Sequence, residues 1–179
     1  MSESIRKAIE EIHRKRLELE QRTKETCVIT ALLGAGGKGL EKRKEIDKKL
    51  EEEGIICLIP EDDFAPDVAP SLTEEALFKQ ADVDLVFVNV ASWGAATEFG
   101  QMANIDQIAP KLRVLVPSHH HPLCGSSKSY LTDLYLTHMT KHGHVYAYGE
   151  NRNSSCPTPE RIVVTSAKRF KMMKALSKI

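Results

Sequence analysis

The segment Asp84-Leu85-Val86-Phe87-Val88-Asn89-Val90 is apolar at nearly every position rather than at every second one. A strand with one wet face alternates, so a run of this kind implies a strand covered on both faces, as strands are inside a parallel sheet. Four further runs share the character, at residues 26–33 (TCVITALL), 54–60 (GIICLIP), 113–116 (RVLV) and 144–148 (HVYAY). Between them lie stretches of helical character at 40–53, 71–80, 95–107 and 128–141, and a last one fills most of 160–179. Strand and helix alternate along the chain, and that rhythm calls for helices packed on both sides of one sheet.

The expected fold is therefore α/β, a flavodoxin/Rossmann-like three-layer sandwich with a parallel five-stranded sheet. Ahead of it, residues 1–24 form an amphipathic helix with Ile5, Ile9, Ile12 and then Leu17 or Leu19 among charges, leaving 25–179 as the α/β domain. Gly54 closes the second helix, a proline-rich loop occupies 65–70, and Ser71-Leu72-Thr73-Glu74 has the form of a capping box. Lys+Arg and Asp+Glu both number 25, so no global field draws the chain to nucleic acid or membrane, and neither is an expected partner. The N-terminus is too charged for a signal peptide and no apolar run approaches a membrane span. A cytoplasmic location with four reduced cysteines follows as the expectation.

In a sheet of this type ligands sit outside the carboxyl ends of the strands, where the strand order reverses. Four loops reach that rim. The first, Gly34-Ala35-Gly36-Gly37-Lys38-Gly39, satisfies the Gly-x-Gly-x-x-Gly pattern between a strand and a helix. Gly34, Gly36 and Gly37 allow backbone amides to approach a phosphate or sugar closely. The second brings Glu61-Asp62-Asp63 just past the second strand. The third is Ser92-Trp93-Gly94-Ala95-Ala96-Thr97-Glu98, which breaks the third strand and starts an Ala-rich helix, and the fourth is the run SHHHPLCGSS at 118–127. Glu98 is expected in the first turn of its helix, where free N–H groups and the helix dipole would hold a carboxylate ionised.

The heptad 92–98, followed by Phe99-Gly100 and Ala103, resembles the nucleoside 2-deoxyribosyltransferase-like superfamily. There a strand ending in Asp or Ser leads through x-Gly-x-x-x-Glu into Glu-hydrophobic-Gly-x-x-Ala. The Ser variant looks like the nucleoside 5′-monophosphate N-glycosidase branch, and the resemblance runs from about Cys27 to Tyr148. It implies that Glu98 is the nucleophile, that Ser92 and Gly94 shape the sugar-phosphate pocket, and that Glu74 or Glu75 falls near the family's acid. It also implies a homo-oligomer with shared sites and a small-molecule nucleoside or nucleotide as partner. The first loop departs from the family, because Ala35, Gly37 and Lys38 replace the aromatic, serine or arginine side chains that usually grip the nucleoside.

The chemistry asks for a carboxylate because breaking an N-glycosidic bond builds oxocarbenium character on the sugar, which an ionised acid can stabilise or bond to. A second group must protonate the departing base, and Asp62, Asp63 or a histidine are the choices from the residues themselves. Trp93, Thr97 and His119 join Gly34, Gly36, Gly37, Ser92 and Gly94 as expected substrate contacts. No cofactor and no metal are expected, since His119-His120-His121 are adjacent and lack a Cys or carboxylate at ligand spacing. Two other readings stay open: a non-catalytic nucleotide-binding module that senses its ligand, and a TIR-like NAD glycohydrolase.

Overall fold

The structure is a computed structural model that describes residues 3–64, 69–80, 82–149 and 154–179. Five strands, β1 (Ile29–Leu33), β2 (Ile56–Leu58), β3 (Val83–Asn89), β4 (Leu112–Pro117) and β5 (Val145–Tyr148), form one all-parallel sheet in the order β2-β1-β3-β4-β5. Among the described residues seven α-helices accompany them: α1 (Glu3–Glu25), α2 (Lys38–Glu52), α3 (Pro60–Asp63), α4 (Pro70–Lys79), α5 (Trp93–Met102), α6 (Tyr130–His142) and α7 (Pro159–Ala175). This is the three-layer Rossmann-like architecture. Most of the proline-rich loop falls at 65–68, outside the described residues.

The period of two along β3 divides its side chains between two cores. Val86, Val88 and Val90 join Phe78 of α4, Phe99 of α5 and Tyr135 of α6 on one face. Leu85 and Phe87 join Ile46 and Leu50 of α2 and Val163 and Ala167 of α7 on the other. Asn89 shares their parity. The chain leaves β1 toward one face and β3 toward the other, so the reversal of strand order falls between the ends of these two strands.

Several helix ends are fixed by side chains. Ser92, Ser129 and Thr158 accept hydrogen bonds from the amides of Ala95, Thr132 and Arg161 at the starts of α5, α6 and α7. The Lys171 Nζ donates to the carbonyls of Glu53 (2.9 Å) and Gly54 (2.8 Å) past the end of α2, and Lys111 does the same for Phe78 and Gln80 at the end of α4. Gly54 and Gly143 take left-handed conformations after α2 and α6. A staple also joins β1, β3 and α7, where Asp84 accepts from the Ile29 amide and pairs with Lys174.

The capping box at Ser71 does not form. The helix begins one residue earlier, at Pro70, behind Ala69, and no side chain caps it. A proline suits the first helical position because it has no N–H to satisfy, and the helix start moves back to use it. Glu74 is then free to turn inward.

Candidate functional site

Ser92 caps α5 and Trp93 is its first helical residue, so Glu98 stands at the sixth position, in the second turn rather than the first. The expected help from free N–H groups is out of its reach, and the expected low pKa is overturned. Glu98 is half-buried, its Oε2 is fully enclosed with no hydrogen-bond partner, and burial first, then the charge of Glu61, pushes its carboxyl above the ordinary range. Arg43 opposes that push without cancelling it.

Glu74 on α4 is only 8% exposed. Burial raises its pKa to about 7, with Glu98 and Glu61 adding to the effect and Arg43 opposing it. Its neighbour Glu75 faces outward and pairs with Lys79, so of the two acids the resemblance left open, Glu74 is the one beside Glu98. The third member of the cluster is Glu61. Both oxygens of Glu61 accept from the guanidinium of Arg43, Oε2 at 2.8 Å from Nη1, and although burial works the other way these bonds hold its pKa below the ordinary value.

Arg43 is the hub of the cluster. Its side chain, 6% exposed, also donates to the carbonyls of Leu32 (3.1 Å), Gly34 (3.3 Å) and Ala35 (3.0 Å), which fastens α2 to the end of β1. Only Nε lacks a partner. One guanidinium therefore faces three carboxylates of differing proton affinity.

The other expected acids are engaged elsewhere. Asp62 pairs with Lys44 at 2.9 Å, and Asp63 accepts from the Ile59 amide at 2.6 Å. Among the described residues neither enters the electrostatics of Glu98 or Glu74.

At the glycine loop, Gly34 passes so close to β3 that an added Cβ would lie 3.3 Å from the Asn89 carbonyl oxygen. Gly37, with φ 58° and ψ −121°, precedes α2 in a conformation that L side chains rarely adopt. Gly36 is unlike both, since a Cβ there would meet open space. The amides of Ala35, Gly36 and Gly37 donate to no acceptor among the described residues. Gly34, Ala35, Lys38 and Gly39 border a cavity of about 730 Å³ between α2 and α7, on the face of the sheet opposite α5.

On the α5 side, Ser92 is occupied as the cap. Trp93 is 89% exposed, Gly94 is open, and the Thr97 hydroxyl donates to the Trp93 carbonyl at 3.0 Å. His119 and His120 are exposed, with ring centroids 4.0 Å apart. His121 is buried and fixes the loop, its Nδ1 accepting from the Leu123 amide and its Nε2 therefore carrying the proton toward the Val145 carbonyl. Among the described residues no group of three or more His, Cys, Asp or Glu is placed to hold a metal ion. No described helix is long and apolar enough to cross a membrane.

No family model and no curated protein sequence matches the chain. The chemistry of the site is therefore read from its own residues. Glu61 and Glu74 have been driven apart in proton affinity, with Glu98 raised beside them, and such divergence is how one site holds a carboxylate and a carboxylic acid together at neutral pH.

Proposed function

We propose that this chain cleaves or exchanges the N-glycosidic bond of a nucleoside or nucleoside 5′-monophosphate. The observation that carries the reading is the pairing of Glu98, with an enclosed and unpartnered carboxylate oxygen, and Glu74, with a pKa of about 7. Glu98 attacks or electrostatically stabilises the anomeric carbon as the C–N bond breaks. The bonding electrons leave with the base, and Glu74 supplies the proton the base nitrogen needs. Water then takes the sugar from Glu98 in hydrolysis, returning a proton to Glu74, or a second base does so in exchange. The amides of Trp93 and Gly94 at the start of α5, which donate to no acceptor among the described residues, suit a 5′-phosphate beside the Ser92 cap.

The resemblance to nucleoside deoxyribosyltransferases and nucleotide N-glycosidases supports this reading. It also motivates a homo-oligomer, for which the exposed Ile5, Ile9 and Ile12 of α1 offer an apolar stripe. Sedimentation at high concentration that finds only a 20.0 kDa species would remove the oligomer from the proposal.

The deciding experiment is incubation with a panel of nucleosides, nucleotides and NAD, followed by chromatography for free base. Release by the wild type and not by Glu98→Gln supports the enzyme. Binding without release points to the sensing module, and release from NAD alone to an NAD glycohydrolase.

A further inference from the structure

Single apolar side chains scattered over a surface are ordinary, whereas exposed ones gathered at one place mark a contact. The three most exposed large hydrophobic residues among those described are Trp93 (89%), Tyr130 (79%) and Leu123 (72%). Trp93 is the first residue of α5, Tyr130 is the first residue of the neighbouring α6, and Leu123 belongs to the loop leading from β4 to α6. All three therefore stand at the carboxyl rim of the sheet, on the α5 side. The surface of α5 itself is neutral. Of its ten residues only Glu98 is charged, and it is half-buried, so Gly94, Thr97 and Gln101 face solvent as an uncharged strip in a chain that is 28% charged. Gly100 on the same helix has room for a Cβ, so no neighbour within the chain accounts for a residue that weakens a helix. The two charges that bracket Tyr130 in the chain, Lys128 and Asp133, are exposed and form no ion pair among the described residues.

We infer that this rim is the interface of a homodimer, in which two copies meet about a two-fold axis beside Tyr130. The inference rests on the homo-oligomer reading above and places its contact here rather than on α1. A second copy is the occupant because the surface complements itself. A two-fold contact sets a patch against the same patch, so Lys128 of each chain meets Asp133 of the other and both charges gain a partner. Aromatic side chains at the centre, depletion of charge around them and ions at the edge are the anatomy of an interface core. The area suffices as well. Two aromatic side chains offer about 300–500 Å² between them, and Leu123 with the α5 strip brings each copy to the roughly 800 Å² of a standard interface. With Lys+Arg and Asp+Glu equal at 25, no net charge holds two copies apart.

Sedimentation equilibrium of the full chain tests the interface, with thermal melting as the check that each variant is folded. The wild type should form a species of about twice the 20.0 kDa chain mass. Leu123→Asp/Tyr130→Asp should raise its dissociation constant by at least about tenfold, and Ile5→Ser/Ile9→Ser/Ile12→Ser should leave it unchanged. Lys128→Glu and Asp133→Lys should each weaken the dimer. Mixed in equal amounts these two should choose one another, and native mass spectrometry should then find mixed dimers beyond the statistical half. A wild type that stays monomeric would end the oligomer reading and this interface with it. A dimer that survives Leu123→Asp/Tyr130→Asp would overturn this interface alone, and its loss in the isoleucine variant would move the contact to α1. A mixture without preference would overturn the pairing of Lys128 with Asp133 and the two-fold arrangement built on it.

Discussion

Arg43 Nη1 lies 2.8 Å from Glu61 Oε2 while Nη2 holds Glu61 Oε1 and the carbonyls of Gly34 and Ala35. One side chain thus ties the end of β1, the end of β2 and the carboxylate cluster into a unit. Arg43→Met should destabilise the domain by about 3 kcal/mol, because it leaves an acid cluster and the carbonyls of Leu32, Gly34 and Ala35 without their cation. Adding Glu61→Gln should recover part of that loss, and denaturant melts of the three variants measure it. Equal stability of wild type and Arg43→Met would show that the cluster needs no counter-charge.

Glu98→Gln should abolish base release, lowering it by several orders of magnitude, since it removes the charge that matches an oxocarbenium ion. Stability should hold or rise slightly, because the enclosed Oε2 has no partner to lose. Activity assays on the same preparation as the melts keep the two effects apart.

Glu74 makes the pH dependence explicit. Its folded pKa of about 7 lies above the ordinary 4.5, so the stability it contributes is complete below pH 4.5 and is lost as pH rises through 7. The loss is at most about 3 kcal/mol, and Glu74→Gln should flatten it in melts taken from pH 5 to 9. If Glu74 also carries the proton for the leaving base, wild-type turnover falls above pH 7 and the variant lacks that limb.

His138 acts in the opposite sense. It is 3% exposed, and burial, with the charge of His142 adding to it and a hydrogen bond with the Leu112 backbone opposing it, lowers its pKa from 6.5 to about 4. The unfolded chain then binds more protons between those values, so stability falls as pH drops from 6.5 to 4, by at most about 3 kcal/mol from this residue. His138→Phe, packing against Phe99 and Tyr135, should weaken the acid sensitivity of the thermal midpoint. An unchanged acid limb would assign that sensitivity to other groups.

The glycines separate folding from binding. Gly36→Val should leave the melting temperature within a degree or two, as nothing lies within 4 Å of its Cβ, and should abolish binding of any ligand that approaches the loop amides. Gly37→Val must force a β-branched residue to φ 58° and should destabilise by about 1–2 kcal/mol. Normal ligand affinity in Gly36→Val would place the ligand elsewhere.

Most of this fold could be read in advance because the strands that matter are buried on both sides. The run from Asp84 to Val90 admits few other structures, and Ser92 announced the start of α5. What misled was the helix boundary. Two residues of shift, from Ala95 to Trp93, moved Glu98 from a dipole-stabilised first turn to a desolvated second one and reversed the sign of its pKa shift. Glu61 was one of three adjacent acids, and only the bend into α3 decides which of them meets Arg43. Arg43 itself sat in a heavily charged helix, yet its spacing of three and seven from Ile46 and Leu50 puts it on the inward stripe, a signal that could have found it. Asn89 was legible in the same way, by parity with Leu85 and Phe87.

Helix α1 spans 23 residues, about 35 Å, and buries none of them. Its order comes from ion pairs along its own surface, such as Glu3–Lys7, Arg14–Glu18 and Arg16–Glu20, and from a short seam on α7 with a hydrogen bond from Arg22 to Ser177 just past that helix. Such pairs weaken as ions screen them, whereas the twin cores on the sheet do not. Raising ionic strength should therefore unwind this segment and leave the sheet intact: far-ultraviolet ellipticity declines in part, and amides of 3–18 exchange with deuterium long before those of β3. The molecule then behaves as two thermodynamic bodies on one chain, one whose order is set by the solvent and one whose order is set by its interior.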